Sequence, residues 1–111
     1  MVVVHVEEYC LLETFRPQCL KNEIIVIESA NYGRRYVSRC LETEELDFVS
    51  NPGYLGCSAD VLDYVSRVCS GKKQCEIRIP DANLQQKKPC PKGLDMFLEI
   101  RYSCVEGKCN F

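Results

Sequence analysis

The residues with the most varied chemistry lie in one short stretch that follows an aliphatic run. Residues 23–27, Glu-Ile-Ile-Val-Ile, predict a strand that is buried on both faces. Directly after it come a carboxylate, an amide, a phenol and a guanidinium, from Glu28, Asn31, Tyr32 and Arg34. A rigid strand that ends in several hydrogen-bonding groups can hold a small polar ligand. The same residues could form a strand end with a well-satisfied turn, and taken alone they favour that simpler interpretation.

The sequence contains no recognisable catalytic or metal-binding motif. His5 is the only histidine, and neither G-x-S-x-G, nor H-E-x-x-H, nor a glycine-rich phosphate loop occurs. The closest cysteine spacings, Cys69 to Cys75 and Cys104 to Cys109, are wider than the C-x2-C pairs of structural zinc. We therefore predict that the chain is not an enzyme and needs no metal or cofactor. Its net charge of −2, with aromatics that do not interleave with the bases, argues against nucleic-acid binding.

Nine cysteines are the strongest compositional feature of this 111-residue chain. They fit a disulfide framework formed in an oxidising compartment, so we predict an extracellular location. Because nine is odd, at least one thiol is left over or pairs outside the chain, and Cys109 near the end is the natural candidate. The sequence has neither a secretory signal nor an apolar stretch as long as a membrane span. We interpret it as a module of a longer secreted or membrane-anchored protein.

The charges are unevenly distributed along the chain. Residues 42–47 carry four acids and no base, whereas residues 67–92 carry seven bases and two acids. The basic segment could attract an anionic partner such as a sulfated glycan, although solvated surface lysines are the simpler interpretation. The candidate contacts for heparan sulfate are Lys72, Lys73, Lys87, Lys88 and Lys92.

Hydrophobic periodicity predicts a small disulfide-rich α+β domain with four or five strands, one helix and long loops. Ser58 is the predicted N-cap of the helix, apolar residues at helical spacing follow over 61–69, and Gly71 is the predicted stop. Residues 41–57 and 80–91 are predicted to be irregular. The predicted strands are residues 2–6, 23–27, 36–37, 75–79 and 96–104.

The alternation in the last predicted strand assigns its side chains to two faces. Leu98, Ile100, Tyr102 and Cys104 are predicted to face inward, and Phe97, Glu99, Arg101 and Ser103 to face outward. A cysteine that points into the core from the end of a central strand is well placed for a disulfide.

Two segments resemble the rhamnose/galactose-binding lectin domain first recognised in sea-urchin egg lectin. Residues 30–34 read Ala-Asn-Tyr-Gly-Arg, and the C-terminal segment reads Pro-Cys-Pro at 89–91, glycine at 93 and Phe-Leu-Glu-Ile-Arg-Tyr-Ser-Cys at 97–104. The family occurs in fish egg lectins, latrophilin adhesion receptors and Eva-type axon-guidance receptors. The resemblance extends over residues 10–104, with eight cysteines in the family order.

The resemblance implies an antiparallel, sandwich-like β core with one helix. It divides the chain into residues 1–9 as an N-terminal lead-in or strand, 10–104 as the lectin-type domain, and 105–111 as a tail or linker. Eight cysteines allow 105 pairings, and the family implies one of them, which leaves Cys109 unpaired. The implied pairs are Cys10–Cys40, Cys19–Cys104, Cys57–Cys90 and Cys69–Cys75.

The family also implies a shallow sugar pocket built from a glutamate before the Ala-Asn-Tyr-Gly-Arg motif and from Asp-Pro-Cys and Lys-Tyr-Leu motifs. This chain departs from the pattern, because residues 88–90 read Lys-Pro-Cys and residues 96–98 read Met-Phe-Leu. Losing a charge-assisted contact costs roughly 1.5–3 kcal/mol, which is enough to abolish weak binding. The candidate ligand-binding residues are Glu28, Asn31, Tyr32 and Gly93, with Lys92 and Asp95 as substitutes from the altered loop for the lost groups.

Two functions follow as hypotheses. The first is an extracellular recognition module of a cell-surface receptor or secreted protein, binding a monosaccharide-tipped or sulfated glycan. The alternative is a lectin-derived protein-interaction domain, with a degraded sugar pocket, for a secreted guidance or adhesion ligand.

Overall fold

The computed structural model describes residues 3–36, 38–41, 55–91 and 94–107. The acidic segment 42–47, Lys92, Gly93 and Cys109 therefore lie outside the described residues. The elements of the described part are β1 (Val4–Tyr9), β2 (Thr14–Phe15), β3 (Glu23–Gly33), β4 (Ser58–Asp60), α1 (Leu62–Cys69), β5 (Ile77–Arg78), α2 (Ala82–Lys87) and β6 (Phe97–Glu106).

The strands form two antiparallel sheets. Four of them lie in the order β1-β6-β3-β4, and β2 pairs with β5 in a smaller sheet. The two central strands, β3 and β6, pair along their whole length, from Glu23 opposite Glu106 to Gly33 opposite Phe97. The residues that the structure describes contain two helices and four disulfides, which makes this the small disulfide-rich α+β domain that the sequence predicts.

The core lies on one face of the four-stranded sheet. Ile25 of β3 and Ile100 of β6 pack there against Val65 of α1, Phe15 of β2 and Leu84 of α2, and all five are fully buried. Burial of each large apolar side chain stabilises the fold by about 1.5–3 kcal/mol. The helices and the small sheet thus cover one face of the four-stranded sheet.

The other face of β6 is less exposed than its alternation predicts. Phe97 and Ser103 were expected to face solvent, but each is only 2% exposed. The ring of Phe97 packs against that of Tyr36, with centroids 5.6 Å apart. Ser103 lies between Val4 of β1 and Val26 of β3, so its neighbours in the sheet shield it.

The prediction of a single helix is wrong, because residues 82–87 form α2. The Asp81 side chain accepts a hydrogen bond from the Leu84 backbone N–H, which is the usual geometry of an N-cap. Only Leu84 in this helix is buried, so no apolar repeat reveals it in the sequence.

Ser58 is not the N-cap of the first helix. Residues 58–60 pair with Asn31–Gly33 as β4, and this pairing delays the helix until Leu62. The Asp60 carboxylate accepts a hydrogen bond from the Leu62 backbone N–H at 2.8 Å, so it satisfies one donor of the first turn.

The predicted strands differ in extent from the observed ones. The strand predicted over residues 23–27 continues to Gly33, so residues 28–33 are strand and not a turn, and the last strand runs to Glu106. The N-terminal segment is longer than predicted, and as β1 it is the edge strand of the main sheet. Only Ile77–Arg78 of residues 75–79 is a strand, since its partner β2 has two residues. Tyr36, which was predicted to be in a strand, lies in a bend. Its hydroxyl donates a hydrogen bond to Glu99, and its ring packs against Phe97 of β6. Val37 is outside the described residues.

Three of the four disulfides seen in the structure connect segments that are distant in the chain, and the fourth, Cys69–Cys75, is local. The structure joins Cys10 to Cys40, Cys19 to Cys104, Cys57 to Cys90 and Cys69 to Cys75, the pairs that the resemblance implies. Each bridge is expected to contribute about 2–4 kcal/mol by restricting the unfolded chain. The widest loop is closed by the Cys19–Cys104 bridge, which attaches the segment before β3 to β6.

Gly33 is required where β3 meets β4. A Cβ there would overlap the carbonyl oxygen of Cys57 and lie 2.6 Å from the Cα of Ser58, and its φ is +152°. Backbone atoms cannot move aside as a flexible side chain can. The glycine of the Ala-Asn-Tyr-Gly-Arg motif therefore has a packing role of its own.

We expect Gly33→Ala to lower the free energy of unfolding by about 3 kcal/mol, since overpacking against backbone adds to the cost of a positive φ. Gly56→Ala is the matched control, because Gly56 has a φ of +93° but nothing within 4 Å of a Cβ. It should lose only about 1 kcal/mol. Urea unfolding measures both, and equal losses would show that the overlap is relieved without cost.

Candidate functional site

A cavity of about 560 Å³ with mixed apolar and polar walls lies beside the C-terminal end of β3. Its size suits a small ligand. The lining residues are Leu11, Tyr32, Pro80, Gln85, Lys88, Cys90, Pro91, Leu94, Asp95 and Met96.

Four separate parts of the chain build this cavity. Tyr32 comes from β3, Gln85 and Lys88 from α2 and its end, and Asp95 and Met96 from the residues before β6. Leu11 belongs to the turn after β1, in which the Glu13 N–H donates to the Cys10 carbonyl. The Cys57–Cys90 disulfide ties the wall that contains Cys90 to the start of β4.

Tyr32 forms the base of the cavity. Only 2% of it is exposed, so a ligand could contact very little of its ring. Burial raises the pKa of its phenol, and the negative charge of Asp81 adds to the effect. At neutral pH the group is therefore an uncharged hydroxyl.

Asp81 holds the two helices in place behind the cavity. One of its carboxylate oxygens accepts from the Leu84 N–H and the other from the Tyr64 hydroxyl, which links α2 to α1. Burial, and then the hydrogen bond to Asp81, raise the pKa of Tyr64 to about 12. The two hydrogen bonds of Asp81 thus help to position α2, which contains Gln85 and has Lys88 as its C-cap.

The cavity walls combine two kinds of chemistry. Leu94 and Met96 are apolar, whereas Asp95, Gln85 and Lys88 offer a carboxylate, an amide and an ammonium. A carboxylate accepts hydrogen bonds from hydroxyls, an amide both donates and accepts, and an ammonium only donates. Such a site suits a ligand with one apolar face and several hydroxyls.

Glu28 does not line this cavity. It is the extra residue of a β-bulge, since Ile27 pairs with Tyr102 and Ser29 with Arg101. Its carboxylate accepts a hydrogen bond from the Arg101 Nε at 3.2 Å, in an ion pair that is largely open to solvent. The structure thus does not bring Glu28 together with Tyr32.

The other residues predicted to bind a ligand also lie in different places. Asp95 and Tyr32 line the cavity together. Asn31 is half-buried and, as the next residue in a strand, it lies on the opposite face of β3 from Tyr32. Lys92 and Gly93 lie outside the described residues.

The candidate glycan-binding lysines lie in separate places. The Lys72 carbonyl accepts from the Ile25 N–H, and Lys73 follows it, whereas Lys88 lines the cavity with Tyr32. Ile25 and Tyr32 are seven positions apart on β3, or about 20 Å along the strand, so the Lys72 backbone and the cavity lie near opposite ends of β3. The lysine pairs 72–73 and 87–88 do not form one compact cluster.

Sequence reasoning missed several residues of the cavity and its support. Leu11, Gln85 and Leu94 line it, and Asp81 holds α2 beside it. The aspartate directly after Pro80 is an N-cap signal that could have indicated α2. Leu11 has no local signal, because its place depends on the turn after β1.

Other kinds of site are not seen in the parts of the chain that the structure describes. Within those ranges no three metal-binding side chains cluster together, and no helix is long and apolar enough to cross a membrane.

Comparison with known proteins places the chain among lectin-type domains. The family model of the D-galactoside/L-rhamnose-binding SUEL lectin domain matches residues 17–104. Protein eva-1 homolog C of Homo sapiens is 30% identical over 101 residues, covering 86% of this chain and 21% of that protein. Adhesion G protein-coupled receptor L1 of Homo sapiens is 29% identical over 96 residues, covering 82% of this chain and 6% of that receptor.

We expect Asp81→Ala to lower the free energy of unfolding by about 2 kcal/mol, because it removes an N-cap and the acceptor of the Tyr64 hydroxyl. Asp63→Ala is the control, since Asp63 is an exposed residue in the first turn of α1. Its loss should stay near 0.5 kcal/mol. Urea unfolding followed by circular dichroism compares the two variants, and similar losses would contradict the role given to Asp81.

The stability of the domain should fall as the pH rises above about 10. Unfolded tyrosine ionises near pH 10, while Tyr64 in the fold keeps its proton to about pH 12, so its contribution is complete below pH 10 and is lost between these values. Burial also raises the pKa values of Tyr9 and Tyr36. Tyr64→Phe should be less stable at neutral pH yet lose less stability on alkalinisation. An unchanged pH slope in that variant, from urea unfolding at several pH values, would contradict the assignment.

Proposed function

The chain belongs to the D-galactoside/L-rhamnose-binding SUEL lectin domain family, and from that premise we propose that it is the carbohydrate-recognition module of an extracellular protein. It spans about a fifth of Protein eva-1 homolog C and 6% of adhesion G protein-coupled receptor L1. The proposed parent is therefore a larger cell-surface receptor or secreted protein. Four disulfides in a domain of this size support an oxidising location.

The observation that carries the proposal is the cavity itself. It unites Tyr32, from the Ala-Asn-Tyr-Gly-Arg motif, with Lys88, Asp95 and Met96, from the segment where the family has its two C-terminal motifs. Tyr32 is more than fifty positions away in sequence from the other three residues. Pairing of β3 with β6 makes them neighbours.

The chemistry of the cavity supports a sugar ligand. A pyranose has an apolar C–H face that would fit Met96 and Leu94, and a rim of hydroxyls that would fit Asp95 and Gln85. One carboxylate can accept hydrogen bonds from two adjacent hydroxyls, and such charge-assisted bonds are about twice as strong as neutral ones.

A protein ligand is the second candidate. Leu11, on the cavity wall, is 45% exposed, and Leu12 beside it is 72% exposed with a φ of +73°. Two exposed leucines at one turn favour contact with an apolar side chain of a partner. In that case the domain would bind a secreted or cell-surface protein through the turn and the cavity mouth.

A glycan array, followed by titration of D-galactose and L-rhamnose, tests the first candidate. We expect Asp95→Ala to weaken sugar binding by about tenfold or more, because the hydroxyl acceptor is lost. Glu28→Ala is the matched control, since it removes a carboxylate outside the cavity. If Glu28→Ala loses sugar binding and Asp95→Ala keeps it, the sugar binds at the bulge of β3 and not in the cavity. If the wild-type domain binds no glycan, the carbohydrate function is wrong and the protein-ligand candidate takes its place.

Salt dependence separates a sulfated glycan from a neutral one. Binding through several lysines should weaken steeply as salt is raised. Comparing a Lys72→Gln/Lys73→Gln variant with a Lys87→Gln/Lys88→Gln variant then shows which of the two separate pairs is used. A salt-insensitive interaction that free rhamnose competes away would exclude a sulfated-glycan ligand.

A further inference from the structure

We propose that the cavity prefers a monosaccharide with an anionic group, a carboxylate or a sulfate, over the neutral sugar of the same stereochemistry. This inference rests on the proposed function, because it assumes that a sugar occupies the cavity. It is carried by Lys88, which lines the cavity together with Asp95 and Gln85.

Lys88 is placed to meet a ligand. It follows the last residue of α2, its side chain is exposed, and it lines the same cavity as Asp95 and Tyr32. Although Asp95 shares the wall, no ion pair joins the two among the described residues. The ammonium group therefore keeps its hydrogen-bond donors for a bound anion.

The backbone does not require a lysine at this position. Lys88 ends the helix in the left-handed conformation, with φ +43° and ψ +52°. Glycine is the residue that adopts this conformation without a steric cost, and it is the usual choice just after a helix. Lys88 thus adopts a conformation that glycine adopts more readily, and its side chain lies on the wall of the cavity.

The neighbouring charges fit a ligand that is both anionic and hydroxylated. Lys88 can donate to the anion, which leaves Asp95 as an acceptor and Gln85 as an amide for hydroxyls. Apolar side chains beside the bound sugar would lower the local polarity and so strengthen a charge-assisted hydrogen bond. A neutral sugar would leave the ammonium without a charged partner.

The preceding residue provides a matched control. Lys87 is also exposed and lies at the end of α2, but it borders a different surface pocket, together with Asp60, Asp63 and Arg67. A charge change at Lys87 therefore alters the net charge of the domain by the same amount without touching the cavity.

The experiment titrates three sugars that share one ring stereochemistry, D-galactose, D-galacturonate and D-galactose 6-sulfate, into the wild-type domain and three variants at constant ionic strength. Chemical-shift titration suits the weak affinities expected. Lys88→Asp restores the acceptor of the family pattern, Lys88→Gly removes the side chain and favours the observed backbone, and Lys87→Asp is the control. Thermal unfolding checks that each variant folds.

We expect at least one anionic sugar to bind the wild-type domain about tenfold more tightly than galactose. Lys88→Asp and Lys88→Gly should abolish this preference, Lys88→Asp should favour galactose, and Lys87→Asp should keep the preference. The stronger of the two anionic ligands shows whether carboxylate or sulfate is preferred.

Two results would overturn the inference. Equal affinity for the three sugars, or a preference that Lys87→Asp removes as fully as Lys88→Asp, would show that Lys88 does not select the anion, while sugar binding itself would stand. No detectable binding of any sugar would overturn the proposed function, and the anion preference with it.

Discussion

The pairing of β3 with β6 is the interaction on which the rest of the structure depends. The two strands lie more than sixty positions apart in the chain, and they are the centre of the four-stranded sheet. Their apolar side chains form most of the sheet side of the core, and the Cys19–Cys104 disulfide fastens the segment before β3 to β6. The same pairing sets Tyr32 opposite Leu98, so the residues that precede β6 can form the wall of a cavity above Tyr32.

The bulge at Glu28 decides which residues of β3 reach that cavity. Before it, Ile25 and Ile27 face the core; after it, Ala30 and Tyr32 do. Without the bulge, the alternation set by Ile25 and Ile27 would continue along β3. Asn31 would then face the core and Tyr32 would face outward. One extra residue therefore puts the phenol at the cavity base and leaves Glu28 in an exposed ion pair with Arg101.

This bulge also marks the limit of what the sequence predicts. The aliphatic run before Glu28 and the alternation around Ile100 indicate both central strands, and the family resemblance implies the disulfide pairs that the structure contains. No residue pattern around Glu28 indicates a bulge. Glu28 and Tyr32 were therefore predicted to share one site because they are close in sequence, although the fold separates them. The helix after Asp81 was missed for a related reason, because a helix with a single buried residue has no period to detect.

The residues that hold the fold and the residues that line the cavity are largely different sets. Gly33 and the buried residues around Ile25 cannot change without loss of stability, whereas Lys88 and Leu11 are exposed and contribute little to the core. Substitutions at such exposed positions usually change stability by no more than about 0.5 kcal/mol. The charge on the wall of the cavity can thus change while the scaffold persists.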